Sequence, residues 1–138
     1  MSSLEFTHEG QNYKAGKLDV FTQFHVTRRL GTFLPELAGA VGKIGSDEGN
    51  MAILEPLARV AAAMEDEDVE YVLNACMAVV SRQQSGGAWA PVLAAPKALM
   101  FPDIDMAVML VIVWHVLRHS LARFFSALPQ GSSGMARM

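Results

Sequence analysis

Met106-Ala107-Val108-Met109-Leu110-Val111-Ile112-Val113-Trp114-His115-Val116-Leu117 decides the fold. As a helix, this stretch is apolar over nearly all of its first three turns, and a helix apolar all round must be enclosed on every side. In so small a chain, complete enclosure without help from a partner is hard to arrange. It fails as a membrane span. His115 interrupts it, Asp103, Asp105 and Arg118 flank it, and it falls short of the roughly 18 apolar residues a span requires. It reads as a buried helix from Asp105 to about Leu128, capped by Asp103. Its second half turns amphipathic, with Leu117, Leu121, Phe124, Phe125 and Leu128 apolar and Arg118, His119 and Arg123 polar.

The chain around it has 138 residues, the size of one domain, expected to span 1–128 with a flexible tail over 129–138 (PQGSSGMARM from Pro129). Hydrophobic residues make up 51% and charged residues 18%, enough for a core with apolar material to spare. Apolar surface that a small domain cannot bury is where partners sit. The net charge is -3 and the basic residues are scattered, which argues against nucleic acid, whose phosphates select a basic face. The densest charge run is acidic (Glu65, Asp66, Glu67, Asp68, Glu70) and reads as a solvated segment. Cys76 is alone, so no internal disulfide is expected, and MSSLEFTHEG lacks the pattern of a signal peptide. A cytoplasmic location, without membrane attachment, is the expectation.

N-terminal to the deciding helix, residues 4–18 alternate in part and turn at His8-Glu9-Gly10-Gln11-Asn12, predicting a β-hairpin that must pack on the helices. Asp19 is placed to cap a helix through about Leu34, with Val20, Phe21, Phe24, Leu30 and Leu34 as its apolar stripe. Pro35 ends or kinks it. Gly39 to Gly49 reads as a loop. The next helix opens at Ser46 or Asp47, or else near Glu55 with Pro56 in its first turn, and reaches Met64. A further helix, after the acidic run, extends to about Arg82 and buries Val69, Val72, Leu73, Cys76 and Val80. Ser85 to Pro102 then combines two glycines and three prolines with Trp89, Val92, Leu93, Leu99, Met100 and Phe101, too apolar for a linker. The fold class is mainly α within α+β: a small four-helix domain with an N-terminal hairpin packed on it.

No constellation carries chemistry. Cys76 lies on an apolar helix face with no base, the setting of a buried structural thiol. His115 and His119 share a helix face at four-residue spacing, but no third metal ligand accompanies them and Arg118 stands beside them. Asp103 and Asp105 suit helix capping better than catalysis. The glycine-rich segments match no phosphate-binding pattern. No enzyme, metal or cofactor is expected. Nine methionines suit either core filling or an adaptable binding surface. The protein-binding residues expected are Trp89, Val92, Leu93, Met100, Phe101, Met106, Met109, Leu110, Trp114, Phe124 and Phe125, lining a groove or a self-association surface.

Phe6, Gly10 and Tyr13 in the hairpin, Asp-x-Phe-x-Gln-Phe-x-Val-x-Arg-Arg from Asp19 to Arg29, Phe101-Pro102-Asp103, the long apolar helix and Leu121-x-x-Phe124-Phe125 follow one another in order. In this the chain resembles the tail assembly chaperones of long-tailed phages and prophages, over most of its length to about residue 128. The resemblance implies a non-catalytic role in tail morphogenesis: binding the tape-measure protein, keeping it soluble and helping recruit tail-tube subunits. It also implies a short form and a longer, frameshifted form, in host cytoplasm and not in the mature virion. A homo-oligomer is compatible. Two rival readings are a minor virion structural or head–tail connector protein, and a small DNA-binding regulator.

Overall fold

A computed structural model describes residues 3–41 and 54–122. The expected hairpin is present, and the architecture is an α+β mix. Strands β1 (Ser3–His8) and β2 (Gln11–Gly16) pair antiparallel with Phe6 opposite Tyr13. The two-residue turn holds Glu9 and Gly10 at φ of 51° and 81°, the geometry whose twist matches the flanking strands.

The hairpin does not rest on helices alone. β2 also pairs with β3 (Val80–Gln83), which pairs with β4 (Trp89–Pro91), giving an antiparallel sheet in the order β1-β2-β3-β4. This corrects the helix expected to reach Arg82. That helix stops at Met77, and the β-branched pair Val79 and Val80 leads into the open edge of β2, where Val79 C=O accepts from Gly16 N–H at 2.9 Å. Ladder pairing outweighs the weak helical preference of four residues. The stretch between Ser85 and Pro102, too apolar for a linker, contains β4 and a second small hairpin, β5 (Leu93–Ala95) with β6 (Ala98–Leu99).

The helices are α1 (Val20–Leu30), α2 (Leu34–Val41), α3 (Leu54–Ala63), α4 (Asp66–Met77) and α5 (Met106–Ser120). Asp19 caps α1 as expected, accepting from Thr22 N–H at 2.8 Å. The single helix expected to Leu34 is divided by a 3-10 turn, Gly31–Phe33, where Gly31 adopts φ 52°. Pro35 then stands in the first turn of α2, where its missing N–H is no loss. Helix α2 continues through Gly39 to Val41, residues expected in a loop. In α3, Pro56 lies in the first described turn. The cap of α5 is Asp105, which accepts from Val108 N–H at 3.0 Å. Asp103, expected to be that cap, instead accepts with both oxygens from Arg82 Nη1, at 3.1 and 3.0 Å. The flexible tail expected at 129–138 lies outside the described residues.

The core forms where α5 crosses one face of the sheet and packs against α4 and α3, with α1 laid on α4. Tyr13 and Ala15 of β2 are buried beneath it, and Phe6 stacks on both Tyr13 and the His115 ring. Val111, Ile112, Trp114 and Val116 have no exposure at all. The chain itself encloses this part of the helix, whereas Met106 at its start is exposed and Met109 and Leu110 are half-buried. Leu18 N–H donates to Ser120 Oγ at 2.9 Å across 102 residues, fixing the entry to α1 at the C-terminal end of α5.

Candidate functional site

The expected binding residues separate into those the core consumes and those left at the surface. Trp114 and Val92 are fully buried, so their side chains hold the chain together and are not offered to a partner. Leu110 is half-buried and lines a small apolar pocket of about 40 Å³ with Leu30, Leu57, Val72, Val113 and Leu117. Phe101 is half-buried beneath the Arg82 guanidinium, 4.4 Å from the ring centroid, and Trp89 carries Lys14 Nζ at 4.7 Å. Phe124 and Phe125 lie outside the described residues.

Of the remaining four, Leu93, Met100, Met106 and Met109, two share a groove. Leu93 and Met109, with Leu73 and Met77 of α4 and Leu99 of β6, line an open groove of about 230 Å³ between α4 and the β5–β6 hairpin. Its walls are held together at the rim. Lys97, in the hairpin turn at φ 64°, donates its backbone N–H to Asn74 Oδ1 at 2.9 Å and its ammonium to Glu70 at 3.3 Å. A lysine in this backbone region is strained, and the two bonds to α4 fix it there. Beyond the groove, Met100 and Met106 stand 45% and 70% exposed. Flexible methionine and leucine side chains around a half-open apolar trough can fit themselves to an apolar side chain brought by another molecule.

A second apolar surface lies where the sequence pattern predicts core. Val20, Phe21 and Phe24, expected to face inward, are 73%, 79% and 60% exposed, whereas Val26 and Leu30 fill the core from the other side of α1. The signal was in the spacing. At roughly 100° per residue, Val20, Phe24 and Phe21 fall within one arc and Val26 and Leu30 in a nearly opposite one, so α1 is apolar on two sides.

The candidates for chemistry resolve as structural groups. Cys76 is wholly buried, and burial pushes its thiol far above the usual range. His115 Nδ1 lies 3.1 Å from Arg118 Nη2, so it accepts that hydrogen bond. Burial, then the Arg118 charge, then His8, hold His115 down to a pKa of about 4. Among the described residues no three His, Cys, Asp or Glu side chains are grouped to hold a metal, and no helix is long and apolar enough to cross a membrane. Arg29, Arg59, Arg82 and Lys97 are each engaged by carboxylates.

In comparison with known proteins, residues 9–134 match the family model described as phage tail assembly chaperone protein, TAC. No curated protein and no solved structure matches the chain.

Proposed function

The chain belongs to the phage tail assembly chaperone family, and from that premise we propose that it acts without catalysis, holding an apolar helical client, the tape-measure protein, through the groove between α4 and the β5–β6 hairpin. The observation that supports this is the groove itself, apolar on both walls, braced by Lys97 on Glu70 and Asn74, and open to solvent. A long helical chain exposes apolar stripes, and a groove of this kind receives side chains at i, i+3 and i+4. Covering such a stripe keeps the client soluble until tail-tube subunits replace the chaperone. Recruitment of those subunits, and a longer form made by frameshifting near the C-terminus, belong to the same proposal.

Co-expression with a helical tape-measure fragment tests it. The unaltered chain should retain the fragment in the soluble fraction. Leu93→Glu and Leu99→Glu, each placing a carboxylate in the groove, should release it while the far-ultraviolet circular dichroism is unchanged. Retention of the fragment by both folded variants overturns the assignment of the groove.

A further inference from the structure

The four-stranded sheet has two edges, and only one of them is protected. β4, at one edge, is three residues long and ends in Pro91, which has no N–H to offer. β1, at the other, runs six residues from Ser3 to His8 without proline or lysine. The two-residue turn makes His8 and Gln11 a hydrogen-bonded pair. Alternation along the ladder then aims the backbone groups of Leu4, Phe6 and His8 at β2. Those of Ser3, Glu5 and Thr7 point outward, and among the described residues they have no partner.

What overhangs that edge is polar. The rings of Tyr13, Phe6 and His115 are stacked in series, with centroids 5.3 Å and then 4.0 Å apart and planes 18° and 17° from parallel. Tyr13 belongs to β2 and Phe6 to β1, so the series runs across the strands and carries His115 to the outer flank of β1. His115 Nδ1 accepts from Arg118 at 3.1 Å, and helical spacing puts His115, Arg118 and His119 on one face of α5. His115 Nε2, Arg118 Nε and His119 Nε2 are buried with no hydrogen-bond partner among the described residues. Arg29, Arg59 and Arg82 each meet a carboxylate, whereas the half-buried Arg118 meets none there. A cation partly withdrawn from water without a counter-charge is costly, and an added carboxylate relieves that cost.

We propose that β1 takes up an extended segment of another protein as a fifth strand, and that this segment carries an Asp or Glu on its inward face, towards Arg118. Such a strand lies about 4.8 Å outside β1, below His115, and uses the outward backbone groups of Glu5 and Thr7 as its ladder. A second copy of β1 fits poorly. In the antiparallel register that pairs the whole strand, Glu5 meets Glu5, and like charges directly opposite repel. Its inward side chains are Leu4, Phe6 and His8, which bring Arg118 no carboxylate. This edge shares no residue with the groove between α4 and the β5–β6 hairpin, so the two readings stand or fall separately.

Amide hydrogen exchange and NMR titration of the full chain test this with end-capped synthetic peptides. Thr-Val-Thr-Glu-Thr-Val-Thr carries its glutamate on the same face as both valines. Thr-Val-Glu-Thr-Thr-Val-Thr has the same composition with the glutamate on the other face. The first should bind and slow exchange of the Glu5 and Thr7 amides by at least about tenfold, leaving the Leu4 and Phe6 amides unchanged. The second should bind about tenfold more weakly. Arg118→Gln should erase the difference between the peptides. Thr7→Pro, which removes an outward N–H and no bond to β2, should abolish the slowing at Glu5. Far-ultraviolet circular dichroism should be unchanged in both variants, and Arg118→Gln decides the matter alone if Thr7→Pro misfolds. Three results overturn the proposal: Glu5 and Thr7 amides that exchange as in the free chain at about 5 mM of the first peptide, equal binding of the two peptides, or slowing of those amides by raised protein concentration alone, which would put a second copy on the edge.

Discussion

Phe6 of β1 and His115 of α5 lie ring on ring, centroids 4.0 Å apart and planes 17° from parallel. The contact joins the N-terminal hairpin to the helix at the centre of the core, and it seals one face of a histidine that burial and the Arg118 charge hold neutral. In the unfolded chain this imidazole titrates near 6.5; in the folded chain, near 4. The unfolded state therefore takes up the proton first as pH falls. Stability is full above about pH 6.5, declines between 6.5 and 4, and the loss amounts to at most roughly 3 kcal/mol. Urea denaturation from pH 7.5 to 4.5 should show this decline, and His115→Gln should flatten it.

Cys76 gives a kinetic counterpart. Its thiol has no exposure and is kept protonated by burial, so a thiol reagent such as DTNB should leave the native protein unmodified at pH 8. One equivalent should react promptly once denaturant is added, since the chain contains one cysteine. Rapid native labelling would contradict the placement of Cys76 in the core.

The Leu18–Ser120 hydrogen bond ties together segments 102 residues apart. Ser120→Ala leaves a buried backbone N–H without an acceptor, at a cost of about 1–3 kcal/mol. The melting temperature should fall accordingly, and Ser120→Thr, which keeps the hydroxyl, should recover part of the loss.

Two aromatic substitutions should differ sharply. Trp114→Ala empties the middle of the core and should cost about 3–5 kcal/mol. Phe21→Ser, at a side chain 79% exposed, should change stability by less than about 0.5 kcal/mol. Chemical denaturation of both variants checks the pair; equal losses would restore Phe21 to the core.

The contrast between those residues shows where sequence reading stopped. The hairpin was legible because Leu4, Phe6 and Tyr13 keep a period of two around a glycine turn, and the α1 cap because Asp19 precedes an apolar helix. The deciding stretch was legible as buried because Val111 to Leu117 leaves almost no polar side to face water. The faces of α1 were not, since Val20, Phe21 and Phe24 are as apolar as Val26 and Leu30, and periodicity cannot say which arc meets the core. Nor was the strand at Val80–Gln83, because nothing local to those four residues announces that β2 has an open edge beside them.

The sequence by itself determined the elements governed by neighbours along the chain: the turn at Gly10, the cap at Asp19, the apolar character of α5 and the lack of a second cysteine for Cys76. Tertiary structure alone decided what depends on segments distant in sequence. Pairing with β2 turned Val80–Gln83 into strand, the core consumed Trp114 and Val92, and the packing of α1 on α4 through Val26 and Leu30 left Phe21 and Phe24 in water. The physical reason is common to all three: burial belongs to pairs of surfaces, and the second surface of each pair is written elsewhere in the chain.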